Sequence, residues 1–325
     1  MKKYDNYDEN LNDEAAAFDS QIKQRINNGH IPDLDNTENC DFFYNNSWRR
    51  KYFADLDFGD QRDLIVCSIE KYLGKATESI KVLEVGCGPG HMTLDLARKG
   101  YSVTGLELSI DCIDAAKSTA EKYSPGLISS NLDYVCDDFF SFSEQNPNVF
   151  DVILFVGAMH HFPDQEQINL SSKNLLKPNG LLICHEPVRD LVTKKNAILN
   201  HLIVTLLSVS GSYFKNLNKG YEVCIDEDIE RKFNELRYEL EDGEKVQSVN
   251  DNEAGYHEMH PTLLKNFTEL EFQWRYGLFH EIIGGIRLDN EDKEAALAKF
   301  IRDIDKVMCM EKIVDPTEFF FVGRN

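Results

Sequence analysis

Nine residues, Val82 to Gly90 (VLEVGCGPG), carry the densest chemical signal in this 325-residue chain. An apolar run enters Gly86, Gly88 and Gly90. Glycines so spaced let a backbone turn tightly and approach a ligand with no Cβ in the way. Taken alone, such a loop is a dinucleotide fingerprint or merely a tight turn. Its surroundings narrow the choice. The spacing G-C-G-P-G is not the G-x-G-x-x-G that seats a pyrophosphate on a helix N-terminus, and Pro89 removes an N–H that a phosphate would use. Glu84, two residues before the first glycine, would oppose a pyrophosphate and suit a cation. Glu107 lies 21 residues after Gly86, where an acid can take both hydroxyls of a ribose. Asp137 and Asp138 follow a third apolar run, where a carboxylate can accept from an exocyclic amine. Together these residues describe a site for an adenosine with a positively charged, non-phosphorylated tail.

On these residues the chain resembles the class I S-adenosylmethionine-dependent methyltransferases of the small-molecule type. VLEVGCGPG matches that family's first motif, LELS its ribose acid, CDDF its adenine segment, FDVILFVGAMHHF its fourth strand and LLKPNGLLICHEP its fifth. The resemblance is dense over residues 80–187 and thinner over 260–325. It implies S-adenosyl-L-methionine as cofactor and S-adenosyl-L-homocysteine as product. Glu84 would lie near the methionine amino group, with Gly86, Cys87, Gly88 and Gly90 beneath methionine and ribose. Glu107, followed by Leu108, would hold the ribose. Asp137 would face the adenine N6, with Phe139 packed beside it and Phe155 supplied by the fourth strand. Asp138 suits an adenine contact and a helix cap equally. Cys87 reads as a small residue in a tight turn, not a nucleophile.

A methyl group on a sulfonium is already activated, so a protein mainly aligns donor and acceptor and keeps water away. A base is needed only if the acceptor arrives protonated. Candidates are His160 and His161 after the fourth strand, and His185 and Glu186 at the end of the fifth, beside the switch point where such sheets bind ligands. Glu186 equally suits a turn cap before Pro187. Nucleic-acid and protein-amide members often carry an Asn/Asp-Pro-Pro-aromatic signature after strand four, where this chain reads GAMHHF, and no Pro-Cys nucleophile stands there. The implied activity is therefore in-line methyl transfer to an oxygen or nitrogen of a small molecule, such as a natural product, sugar or amine. The aromatic stretch 42–53, with Tyr44, Trp48 and Arg49, is expected as a water-excluding lid. His257 and His260 offer polar groups to the same pocket. Their spacing permits a metal, but no further ligand accompanies them, and none is expected. Two alternatives compete: a catalytically inactive protein that binds the cofactor without turnover, and a nucleotide-dependent oxidoreductase, which Glu84 and Pro89 oppose.

The elements that must position these residues form a rhythm. Strands are read at 81–85, 101–107, 132–136, 150–156 and 181–185, with helices at 61–73, 91–100, 110–122 and 165–176 between them. Continuous apolar strands alternating with helices mean a mostly parallel sheet covered on both faces. The expected fold is α/β, a Rossmann-like class I methyltransferase sheet of seven strands, with a helical N-terminal lid and a helical cap insertion. Its parts are an acidic tail (1–40), an aromatic lid and first helix (41–78), the cofactor-binding core (79–189), the cap (190–260) and the rest of the sheet (261–325). In that last part a helix is read from Pro261, a strand over 270–283, a helix over 290–311 and a closing strand at 318–322.

Composition sets outer bounds. Lys and Arg number 35 against 56 Asp and Glu, a formal net charge of −21. That disfavours a nucleic-acid partner or an anionic membrane surface, both of which call for a basic face. It steers toward a neutral or cationic acceptor. No apolar run approaches the ~20 residues of a membrane span, and the polar start of the sequence gives no expectation of a secretory signal. The eight cysteines form no metal or disulfide pattern, so reduced thiols in a cytoplasm are expected. The apolar helix at 197–209 suits a homodimer face and a core position equally.

Overall fold

The computed structural model describes residues 7–27, 52, 55–214, 225–238, 240–241, 244–245 and 254–325. Its centre is a sheet of seven strands: β1 (Lys81–Val85), β2 (Ser102–Glu107), β3 (Leu132–Cys136), β4 (Phe150–Val156), β5 (Leu176–Pro187), β6 (Thr268–Trp274) and β7 (Glu318–Arg324). Their spatial order is β3-β2-β1-β4-β5-β7-β6. β1 to β5 pair in parallel, and β7 runs antiparallel between β5 and β6. The order reverses between β1 and β4, which opens a crevice at the carboxyl edge.

Each face is covered, as strands with apolar residues on both sides require. Val82, Val103, Leu154, Ile183 and Phe320 point to one face. There Ile65 and Ile69 of α2 (Asp60–Leu73), Leu94 of α3 (His91–Arg98) and Ala116 of α4 (Ile110–Tyr123) pack on them. Leu83, Ile153, Leu182 and Phe321 point to the other face. This face is covered by α5 (Phe139–Gln145), α6 (Gln165–Leu175) and α9 (Tyr256–Asn266) through Phe142, Ile168 and Met259. Between β5 and α9 lie α7 (Lys194–Val209) and α8 (Ile225–Tyr238). Here Leu236 joins Val192 and Ala197 while the Asp226–Asp228 acids stay exposed or half-buried. The helix α10 (Glu291–Met310) precedes β7, its N-terminus capped by Asn290.

Four expectations change. Residues 7–27, read as part of an acidic tail, form the helix α1 (Tyr7–Asn27). Its Leu11, Ala15, Phe18 and Ile22 recur at helical spacing and are half-buried or buried. The helix read from Pro261 starts earlier, at Tyr256, because Glu258 accepts from the Gly255 amide (3.1 Å) and Asp190 from the Tyr256 amide (2.9 Å). The strand read over 270–283 ends at Trp274. Beyond it the amides of Gly277, Leu278 and Phe279 turn onto the buried Asp305 carboxylate (2.9–3.2 Å), and the chain folds into two short 3₁₀ turns. β5 begins at Leu176, so the turn read at 177–180 becomes an irregularity inside the strand. No helix among the described residues is long and apolar enough to cross a membrane. On α7, Leu199, Ile203 and Val204 are half-buried, whereas Ile198, Leu202, Leu206 and Val209 are 49–64% exposed.

Candidate active site

β1 delivers the glycine loop to the crevice. Gly86 has φ +69° and an added Cβ would meet that of Ala158 at 2.7 Å, so the loop can pass β4 only as glycine. Gly88, at φ +50°, faces open space instead: a Cβ there meets nothing within 4 Å. Gly90 ends the loop in left-handed conformation at the start of α3. Between them Cys87 is buried, and burial together with the neighbouring carboxylates pushes its thiol well above the usual range. It stays a thiol, as a packing residue should.

Glu84 is 4% exposed and bonds the Thr93 hydroxyl at the start of α3. Burial raises its carboxyl to about 8, a rise that the Thr93 bonds only partly offset. A buried carboxylate without a cation is costly, so this position favours a positively charged ligand. Glu107, at the end of β2, accepts from the amides of Gly88 (2.9 Å), Leu108 (2.8 Å) and Ser109 (3.0 Å). It therefore shapes the glycine loop as well as facing the crevice. Beyond β3, one Asp137 oxygen takes the Asp138 amide (2.8 Å), and Asp138 caps α5 through the Ser141 amide (2.9 Å). Phe139 packs edge-on against Phe140 and Phe162. Phe155, expected at the cofactor, is fully buried behind Phe139 and Phe162, in the core rather than on the surface of the site.

The four acceptor-side candidates separate onto two faces. Glu186 is fully buried and takes the amides of Ala158 (3.1 Å) and Met159 (2.9 Å) and Nδ1 of His160 (2.8 Å). Burial would raise its carboxyl, but His160 and those amides hold it below the ordinary range. It caps the turn after β4 and fixes His160, which leaves it no free role as a base. His161 lies against His160 (ring centroids 4.1 Å apart) and under α1, whose Glu14 and Phe18 approach it at 3.9 Å and 5.8 Å. His185 is on the opposite face. In register, Glu84 sits beside Leu154 and Leu154 beside Ile183; the next row along that face holds Val156 and His185. Glu84 and His185 thus share one face of the carboxyl edge, two strands and one row apart, roughly 12 Å.

The remaining predicted residues lie elsewhere. His257 is exposed on α9. His260 stacks on Tyr256 (4.8 Å) and meets Phe272 edge-on, toward the β6 edge, where burial lowers its basicity. Tyr44, Trp48 and Arg49 fall outside the described residues. Among the described residues, α1 lies over this edge. Its Asp19 bonds the Ser109 hydroxyl and the Asp111 amide (3.2 Å), and its Lys23 pairs with Asp111 (2.6 Å). α1 therefore spans from the end of β2 to the turn after β4. The stripe Leu11, Ala15, Phe18, Ile22 was the signal for it, masked by acidic composition. Thr93, Glu318, His280 and Asp57 were also missed, for they carry no local motif.

A family model described as a methyltransferase domain matches residues 59–254, more than half of the chain. The chain belongs to the S-adenosylmethionine-dependent methyltransferases. Curated relatives of this methyltransferase include the ubiquinone biosynthesis O-methyltransferases of Vibrio atlanticus (31% identical; 34% of this chain and 45% of the relative) and Coxiella burnetii (35% identical; 31% and 41%). The match thus spans less than half the length of those relatives. Among solved structures, a putative sarcosine dimethylglycine methyltransferase from Galdieria sulphuraria superposes with TM-score 0.51 at 12% identity, over 94% of this chain and 97% of that one. Geranyl diphosphate C-methyltransferase from Streptomyces coelicolor, in complex with S-adenosyl-L-homocysteine, superposes with TM-score 0.51 at 14% identity, over 97% of each chain. At such identities these structures share the fold alone. The residues present suit the family's donor: a buried carboxylate at Glu84 with no cation beside it among the described residues, an open cradle at Gly88 and a carboxylate at Glu107 where a ribose would lie.

Proposed function

We propose that this methyltransferase moves a methyl group from S-adenosylmethionine to an oxygen or nitrogen of a small molecule in a reduced cytoplasmic setting. The observation that carries this reading is the shared sheet face of Glu84 and His185 at the carboxyl edge. It sets an acidic seat for a cationic donor about 12 Å from an imidazole. The bound sulfonium supplies an electrophilic methyl; the protein supplies alignment and dryness. Glu84 would balance the methionine ammonium, Glu107 would accept from the ribose hydroxyls and Asp137 from the adenine amine. α1 would cover the donor. An acceptor would lie over Val156 and His185, and if it is a hydroxyl, His185 would take its proton. The O-methyltransferase activity in the names of the curated relatives supports oxygen as the first atom to test.

The test has two stages. Calorimetry with S-adenosylhomocysteine should give micromolar binding, and its absence at high micromolar concentration would sink the reading. A screen of phenols, sugars and amines against cofactor consumption should then return an acceptor, with His185→Gln reducing turnover at least tenfold.

A further inference from the structure

His185 does not stand alone. Its Nε2 lies 3.2 Å from Oε2 of Glu318; Oε1 of Glu318 lies 3.0 Å from Nε2 of His280; and Nδ1 of His280 lies 3.4 Å from Oδ1 of Asp57. Four side chains from four parts of the chain thus alternate base, acid, base, acid across the carboxyl edge. β5 and β7 bring the first two together, because His185 pairs with Phe320 and Pro187 with Glu318, which puts Glu318 on the His185 face. The 3₁₀ turn Phe279–Glu281 brings His280. The wide helical turn Asp55–Gly59, just before α2, brings Asp57, with Phe58 buried beneath it.

We propose that Glu318 is the positioning residue for His185, and that His280 and Asp57 extend it into a charge chain that holds the imidazole in place only while the 55–59 turn is seated. This rests on His185 as the acceptor-side base. The imidazole is 2% exposed, and its Nδ1 has no hydrogen-bond partner. Nδ1 is therefore the atom left to meet an acceptor. The Glu318 contact is at ion-pair distance but off the hydrogen-bonding direction, so it orients His185 by charge rather than by a closed hydrogen bond. When a hydroxyl acceptor reacts, its O–H electron pair forms the new O–C bond. The S–C pair stays on sulfur and the proton goes to Nδ1, giving an imidazolium that Glu318 stabilises.

The rest of the chain keeps Glu318 ionised for that task. Burial would raise its carboxyl, but His280 and His185 hold it well below the ordinary range. Burial would likewise lower His280, but Glu318 and Asp57 raise it well above a normal histidine. Among the described residues, the other charges near this group include Asp305, whose carboxylate is taken by three backbone amides, and the Arg275–Asp60 pair beside the turn, with Lys306 4.0 Å from Asp60. Asp57 also accepts from Gln61 (3.3 Å), which anchors it to α2. Unseating the turn removes one of the two carboxylates that hold His280 charged, and with it part of the charge that holds Glu318.

The test is side-chain nitrogen NMR of the full chain loaded with S-adenosylhomocysteine, with signals assigned by His185→Gln and His280→Gln. In the wild type, His280 should stay protonated well above the pH at which a free histidine titrates, and His185 should show one tautomer. Asp57→Asn should lower the His280 midpoint by about one pH unit or more. Asp57→Asn and Glu318→Gln should both change the His185 tautomer ratio. If Glu318→Gln does not fold, Asp57→Asn at the edge of the chain carries the test. His185 signals unmoved in the folded variants, or a wild-type His280 that titrates as a free histidine, overturn the proposal. Calorimetry separates the two levels: no S-adenosylhomocysteine binding by the wild type defeats the function itself, whereas binding with unmoved His185 signals defeats only the chain.

Discussion

Glu84 makes the sharpest single-residue case, because burial and charge pull it in opposite directions. An ordinary glutamate titrates near 4.5, and in the fold this one is raised to about 8. Between those values the folded state binds a proton that the unfolded state does not. By linkage, stability therefore falls as pH rises from 4.5 to 8 and is level above that. The contribution is at most about 5 kcal/mol. Urea unfolding at pH 5, 7 and 9 should show this loss in the wild type and not in Glu84→Gln. A cationic donor beside the carboxylate reverses the preference, so its binding below pH 8 should release a proton, visible as a buffer-dependent binding heat. Glu84→Gln should abolish that release and weaken S-adenosylmethionine about thirtyfold, the ~2 kcal/mol of a charged hydrogen bond. Glu107 works differently. It holds three backbone amides, so Glu107→Ala should lower both the melting temperature and the cofactor affinity, the latter about tenfold or more. A loss of affinity at unchanged stability would mean that its amide contacts contribute nothing.

The elements show why some of this was legible in the sequence and some was not. β1 to β4 were read at or within a residue of their observed bounds because buried parallel strands are mainly apolar on both faces, most completely over 152–155. The glycine loop was legible because each of its glycines serves a backbone need rather than a packing preference. The Asp57–His280–Glu318–His185 chain was not, since its members are joined only by β-register and by Asp305 folding residues 277–279 off the sheet. α1 was hidden by composition. Its acids read as a solvated tail, yet Asp19 has a defined partner in the start of α4. Asp19→Ala should remove two hydrogen bonds, about 1–3 kcal/mol of local docking, whereas Lys23→Ala, which breaks an exposed pair, should change little. Hydrogen exchange checks this. Amides of 11–26 should be slowed by S-adenosylhomocysteine in the wild type and exchange faster in Asp19→Ala with the cofactor bound. Equal exchange in the two proteins would mean that α1 does not cover the site.

At the scale of the whole molecule, the charge of −21 acts on ligands before any contact forms. Residues 226–258 alone carry 12 acids against 4 bases, a net −8, and residues 1–40 carry 9 against 4, a net −5. These charges are far too numerous to be site residues, but their summed field draws cations inward over a Debye length of about 10 Å at 0.1 M salt. Donor and product differ in the one respect that isolates this field. S-adenosylmethionine carries a sulfonium, an ammonium and a carboxylate, a net positive charge; S-adenosylhomocysteine lacks the sulfonium and is neutral overall. Both must pass the same cover, so any salt effect on α1, such as weakening of the Lys23–Asp111 pair, is common to the two. Stopped-flow association should therefore slow several-fold for S-adenosylmethionine between about 20 and 300 mM NaCl, and much less for S-adenosylhomocysteine. Equal slopes would assign the salt effect to opening of the cover. A steeper slope for the donor would give the acidic surface a part in selecting the charged ligand over its spent form, alongside Glu84 at the end of the path.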